Sequence, residues 1–312
     1  MTTISSYPNG FTDGVTIRGM PILQTYSGEI FYVSNADILL SKGNRVAGLD
    51  QASGGTFSRP FRTIDFAVGQ CTANRGDIII VLPGHTEDIA SSTSLVIDVA
   101  GVAIVGLGSG SLQPELNFST TSGSIEMDAA NCALVNLNIK ADLTAVVVGV
   151  NVDANNCTIQ GCTFDYANTG DDFVTMIDID NVNGAAVIDC RLIAEDAAGC
   201  AEAIRLDNCD NVIIENNHIY GDFTDGAIIG EGASGVNLTI RNNTIYNSDT
   251  TAGFLVDLNV AFTGLLIGNR MGTLFATAPE TAVDPGSLLC LENYVANAVD
   301  ESGTIVPITL ST

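Results

Sequence analysis

The stretch "NCDNVIIENNHIYGDF" occupies Asn208–Phe223, and one interval later the chain reads "ASGVNLTIRNNTIYNSD" over Ala233–Asp249. Each carries an apolar run, then Asn-Asn, one polar residue, Ile and Tyr. The same sentence recurs as "IQGCTF" (Ile159–Phe164), "VIDCRL" (Val187–Leu192), "LIGNRM" (Leu266–Met271) and "CLENYV" (Cys290–Val295). Aligned, the shared column is Cys162, Cys190, Asn217, Asn243, Asn269 and Asn293, with steps of 28, 27, 26, 26 and 24 residues. "LVNLNI" (Leu134–Ile139) adds one earlier step, with Leu137 in the column. A fixed period of this size marks a repeat architecture.

A second strand precedes each unit. "SIEMDAAN", "VGVNVDAN", "MIDIDNVN", "AIRLDNCD" and "FLVDLNVA" alternate apolar and polar residues and break at Asp128, Asp153, Asp180, Asp207 and Asn259, with Glu231 in register between the last two. Alternation ended by Asp, Asn or Gly is a strand signature. No helical period is sustained after about residue 72, and neither leucine-rich repeats nor propeller blades match the pattern. The expected fold is therefore all-β, a parallel β-helix whose rungs stack about 4.8 Å apart. Asn217, Asn243, Asn269 and Asn293 are expected to form a structural ladder: Asn tolerates left-handed backbone at a turn, and its amide bonds the Asn above and below. Cys162 and Cys190 continue the stack as apolar equivalents.

Composition narrows the function classes. Asp plus Glu number 36 against 11 Lys plus Arg, a formal net charge of −25, and the two lysines are Lys42 and Lys140. Such a surface disfavours nucleic acid and anionic membranes as partners. The start, "MTTISSYPNGF", lacks the basic and apolar regions of a secretory signal, and "LTAVVVGVNV" is about half the length needed to cross a bilayer. The eight cysteines show no CxxC pair, which points to reduced, buried thiols and folding in a cytoplasm.

Ahead of the repeats lies "GGTFSRPFRTIDFAVGQCTANRGDIIIVLPGHTEDI", Gly54–Ile89. Gly55, Thr56, Pro60, Phe61, Thr63, Ile64, Ala67, Gly76, Asp77, Ile78, Ile80, Val81, Pro83 and Gly84 carry a resemblance to the opening of right-handed parallel β-helix proteins of the pectin-lyase-like superfamily. There a Gly-Thr…Pro-Phe-x-Thr-Ile stretch leads a short helix, and Gly-Asp-x-Ile-x-Val-x-Pro-Gly forms the first rung; His85-Thr86 replaces the usual Thr-Tyr. Pro60 is expected to open a capping helix over 60–71, with Phe61, Ile64, Ala67 and Val68 on its buried face.

The aperiodic stretch "MTTISSYPNGFTDGVTIRGMPILQTYSGEIFYV", with the β-helix start, resembles the N-terminal region of tailed-phage virion proteins. The resemblance implies an extended arm over 1–33, docking through Val15, Ile17, Met20, Ile22 and Leu23, then a connecting loop over 34–59. The β-helix would run over 60–295, with a C-terminal tail or cap over 296–312. It further implies a capsid decoration protein on the virion surface, a homo-oligomer (a trimer by analogy) with phage capsid or tail proteins as partners. The alternative is a tailspike-like module that binds or depolymerises host polysaccharide.

The enzyme reading has few supports. Asp171 and Asp172 resemble the Asp-Asp pair of polygalacturonases, where one carboxylic acid protonates the leaving oxygen and another carboxylate activates water. The other motifs of that family are missing, and "YANTGDDF" has the composition of an exposed turn, so no catalytic residue is assigned. Stacked carboxylates at Asp180 and Asp207, with Arg205 nearby, make calcium a candidate ligand; Asp128 and Asp153 share their column. The competing reading is that these side chains accept hydrogen bonds from turn N–H groups. His218 is expected on a solvated face, His85 has no evident partner, and Tyr166, Tyr220, Tyr246 and Tyr294 are the candidates for stacking on sugars.

Overall fold

The computed structural model describes residues 16–17, 20–21, 28–35, 48–195, 199–232, 234–251, 253–275, 279–297 and 304–305. Each repeat contributes three short strands, and like strands of successive repeats pair in parallel register. The first sheet has ten strands, from Ile30–Val33 to Ser287–Leu291. The second has ten, beginning at Thr86–Ile89, and the third has eight, from Leu95–Val96 to Val283–Asp284. The architecture is a parallel β-solenoid. Alternation places one row of each strand inside, where Ile79, Ile104, Leu134, Ile159, Val187, Ile214, Ile240, Leu266 and Cys290 form one continuous buried column. Ten strands spaced about 4.8 Å apart make a rod roughly 43 Å long.

One of the three corners is constant from the strand Ala133–Val135 onward. Between the first and second sheets lie two residues: one with positive φ, then the ladder residue. The positive-φ members are Asn136, Gly161, Asp189, Asn216, Asn242, Gly268 and Glu292. The left-handed backbone thus falls on the residue before the column; the ladder asparagines have a different task. Asn217, Asn243, Asn269 and Asn293 are buried (2%, 1%, 0% and 0% exposed). Asn243 Oδ1 accepts from Asn217 N at 2.9 Å and from Asn217 Nδ2 at 3.1 Å. The same pair of bonds recurs from Asn243 to Asn269 and from Asn269 to Asn293. Each Nδ2 also donates to the rung behind, as in Asn217 to Val187 O at 2.9 Å and Asn243 to Ile214 O at 2.9 Å. The cysteines keep the second bond: Cys162 Sγ donates to Leu134 O at 3.7 Å and Cys190 Sγ to Ile159 O at 3.5 Å. All eight thiols are free.

The corner between the third and first sheets holds a second column, Asn131, Asn156, Gly184, Asn211 and Asn237, all with positive φ. Its amides bond along the outside: Asn156 Nδ2 to Asn131 Oδ1 at 3.3 Å, Asn237 Nδ2 to Asn211 Oδ1 at 2.6 Å. Gly184 takes the same left-handed backbone, and at this rung Asn211 Nδ2 donates instead to Asn183 Oδ1 at 3.0 Å. The corner between the second and third sheets varies most, from the single residue Asp222 to the stretch 274–282.

The start of the rod differs from expectation in three respects. Ile30–Val33 already pairs with Ile78–Val81, so the solenoid begins within the stretch assigned to the arm. The helix is shorter than 60–71, covering Ile64–Val68 with Thr63 as N-cap. Pro60 precedes it in extended chain, because Phe61 bridges Val33 as a strand residue and Asp50 holds the helix entry. The Asp50 carboxylate accepts from Arg62 N, Thr63 N and Thr63 Oγ. The helix packs on Ile30–Val33, Ile78–Val81 and Leu95–Val96, covering strands that would otherwise end open. At the other end, the tail adds Thr304–Ile305 antiparallel to Tyr294–Val295.

His85, for which the sequence offered no partner, is fully buried. Its Nδ1 accepts from Asn35 N at 3.0 Å and its Nε2 lies 3.0 Å from Glu87 Oε2, which also accepts from Ile64 N. This fixes the proton on Nε2 and ties the first strand, the helix and the second sheet together.

Candidate functional site: the outer face of the third sheet

Alternation on the third sheet sends every second side chain outward, and parallel register piles them in columns. The first column is Glu126, Asn151, Asp178, Arg205, Ile229, Asp257 and Asp284. The second begins one rung-end later: Asp180 stands opposite Asp207, and continuing the register adds Asp128, Asp153 and Glu231. The carboxylates that end successive strands in the sequence do share one edge.

Like charges at this spacing repel unless neutralised or bridged. Arg205 answers part of this, placing Nε 2.9 Å from Asp178 Oδ1 and Nη2 against Asp178 Oδ2, with Nη1 3.9 Å from Glu231. Thr175 Oγ1 donates to Glu202 Oε2 at 2.5 Å on the buried side of the face, and burial pushes the Glu202 carboxyl up. Further along, Asn151 Nδ2 donates to Glu126 Oε2 at 2.9 Å and Asp153 Oδ2 at 3.0 Å. Glu126, Asp128 and Asp153 each offer an oxygen within 4.8 Å of the others. Burial, followed by the neighbouring Glu126, raises both Asp128 and Asp153.

Asp180 and Asp207, the calcium candidates of the sequence, are adjacent but differently engaged. Asp180 Oδ1 accepts from Asn181 Nδ2 at 2.7 Å, whereas Asp207 Oδ1 is buried against Gly232. Among the described residues, three carboxylates converge instead at Glu126, Asp128 and Asp153, which could offer oxygen ligands to a hard cation. At the far end a depression of about 610 Å³ is lined by Asp225, Glu231, Asp257 and Asp284 over Ile229 and Phe254.

Asp171 and Asp172 are neighbours in sequence with separate tasks. Asp171 Oδ2 closes its own turn, accepting from Asn168 N at 3.0 Å and Nδ2 at 2.9 Å. Asp172 is buried, 2% exposed, and accepts from Phe173 N at 2.8 Å and Glu195 N at 3.0 Å. Burial pushes its carboxyl up to about 7, with Glu195 and Asp222 adding to the rise.

On the second sheet, Tyr220 and Tyr246 stand in register one rung apart, and Tyr246 and Tyr294 are largely exposed. Arg191 lies 5.4 Å over the Tyr220 ring, and the exposed His218 ring stacks 4.8 Å from it. Of the expected docking residues, Val15, Ile22 and Leu23 lie outside the described residues. Ile17 and Met20 pair through their backbones in a short antiparallel bridge.

Glu126, Asn151, Thr175, Asp178 and Glu202 were missed by sequence reasoning. The signal was present for three of them: Glu126, Asn151 and Asp178 stand two places before Asp128, Asp153 and Asp180 in aligned segments.

No family model matches the chain, and no curated protein does. Among solved structures, the chain is similar to a rhamnogalacturonan lyase at 12% identity, over 88% of each chain, with a TM-score of 0.44.

Proposed function

We propose that the chain is a structural protein of a tailed-phage virion, a capsid decoration protein that docks through its N-terminal segment and projects a rigid rod. The observation that carries this reading is the continuous stacking of parallel strands from Ile30 to Asn297, shifted in register at Cys200/Glu202 and Gly235/Leu238, in which the buried polar side chains of the ladder bond to the backbone of adjacent rungs. A solenoid stapled in this way resists bending and shear, which suits a projecting element. Residues 28–35 enter the rod at the end covered by Ile64–Val68, and in this reading the segment before them supplies the docking contact. The acidic outer columns keep such a particle soluble and repel like-charged surfaces.

The test is copurification with particles. The full chain should band with them at a fixed copy number relative to the main shell subunit. A chain lacking residues 1–27 should fold, by its circular dichroism and melting curve, yet stay in the supernatant. Binding retained by that truncation overturns the reading.

A second reading is a module that binds or cleaves polysaccharide. It is favoured by Tyr220 and Tyr246, in register on adjacent rungs with the Arg191 guanidinium over the Tyr220 ring, and by Tyr294 in the neighbouring column beside Arg270. Release of reducing ends from host polysaccharide, lost in a Tyr220→Ala, Tyr246→Ala variant, would favour it over the first.

A further inference from the structure

The outer face of the first sheet is mostly apolar, unlike the other two, with its polar side chains gathered in the middle rungs. One outward column reads Ile30, Ile78, Ala103, Ala133, Thr158, Ala186, Ile213, Thr239, Leu265 and Leu289. The column beside it reads Tyr32, Ile80, Val105, Val135, Gln160, Ile188, Glu215, Arg241, Ile267 and Leu291. Exposure reaches 48% at Ile30, 54% at Leu289 and 45% at Leu291. The two charges in these columns cancel, Arg241 Nη2 lying 2.6 Å from Glu215 Oε2. A chain carrying −25 therefore presents one electrically neutral, water-disfavoured strip.

We propose that this face is where copies of the chain pack side by side. Charge favours a second copy meeting here: two chains of −25 repel wherever their acidic columns face each other, and this strip is where close approach carries no such penalty. Size favours it too. Nine inter-strand steps of about 4.8 Å, across a strand width of roughly 13 Å, give on the order of 600 Å² a side. Two sides together reach about 1,200 Å², the lower bound of stable specific interfaces. The repeat adds self-complementarity, since a second copy presents the same ridges at the same spacing. Contiguous apolar surface of this extent on an otherwise charged molecule marks an interaction site. The inference does not depend on the role proposed above, because assembly can be measured without particles or glycan.

Sedimentation velocity of the full chain at tens of micromolar should give a multiple of 32.4 kDa, and added salt should strengthen assembly by screening the long-range repulsion. The double variant Ile213→Glu, Leu265→Glu changes two outward positions, so its melting curve should match the wild type while its mass falls to that of one chain. A wild type that sediments as one chain, or a folded double variant that stays assembled, overturns the proposal. So does a chain lacking residues 1–27 that assembles when the full chain does not, which would mean that the chain's own N-terminus covers the face.

Discussion

The molecule contains two columns of asparagine, one buried and one exposed, and the same residue type does different work in each. At the corner between the first and second sheets, Asn217, Asn243, Asn269 and Asn293 adopt ordinary backbone and use their amides inside the protein. At the corner between the third and first sheets, Asn131, Asn156, Asn211 and Asn237 are chosen for left-handed backbone, and their amides touch in solvent. Water can replace a bond in the second column but not in the first. Stacking alone is therefore a poor guide to stability; stacking with no access to water is the stabilising arrangement.

Substitution should separate the columns. Asn243→Ala removes the oxygen that serves Asn217 N and Nδ2 and the amide that serves Ile214 O. Leaving these buried groups unpaired should cost about 3–5 kcal/mol, read as a lower urea midpoint. Equal loss from the exposed column would break the distinction.

Asp172 extends the comparison to a buried carboxyl at the remaining corner. Its folded value of about 7 lies above the 3.8 of the free side chain, so between these values the folded chain holds a proton that the unfolded chain has released. This contribution is complete below about pH 4 and is lost as pH rises through 7, a change of about 2–4 kcal/mol. Asp128, Asp153, Glu202 and Asp257 are raised in the same direction. Melting temperature should fall between pH 5 and pH 8, and Asp172→Asn should flatten that slope. A melting curve that rises with pH across this window would contradict the assignment.

In the exposed column, Asn211→Ala forces a side chain with no αL preference to φ 54° and removes the bond from Asn237. About 1–2 kcal/mol should be lost, measured by chemical denaturation. Asn211→Gly keeps the backbone freedom and gives up only the two solvent-facing bonds, to Asn183 and from Asn237, so its effect should stay within about 0.5 kcal/mol. If both substitutions cost the same, the column is held by its amides and not by its φ.

Much of the solenoid was legible because its period is written in side chains that must coincide: Asn217, Asn243 and Asn269 recur at fixed steps, and so do Asp153, Asp180 and Asp207. The division of labour within the Asn-Asn pair was not, since Asn216 and Asn217 read alike until backbone angles distinguish them. His85 found Asn35 fifty residues away, a distance no local pattern spans. The neutral face was hidden for another reason. Strands such as "IIIV" (Ile78–Val81) look buried on both sides, and sequence cannot tell a row facing the interior from one facing a partner. Asp171 and Asp172 read alike in the sequence, and the structure separates them into a turn-closing carboxylate and a buried one.

One corner of the rod varies in length from end to end. Between the second and third sheets the connection shrinks to Asp222 and grows to 274–282, while the second sheet keeps its register and the third takes up the shortest connection with one shift at Cys200/Glu202. Length differences are absorbed there at the cost of a local shift in one sheet. Foreign peptides grafted into that edge should be displayed along the side of an unchanged scaffold, and the same edge is where divergence between related chains can accumulate at little structural risk.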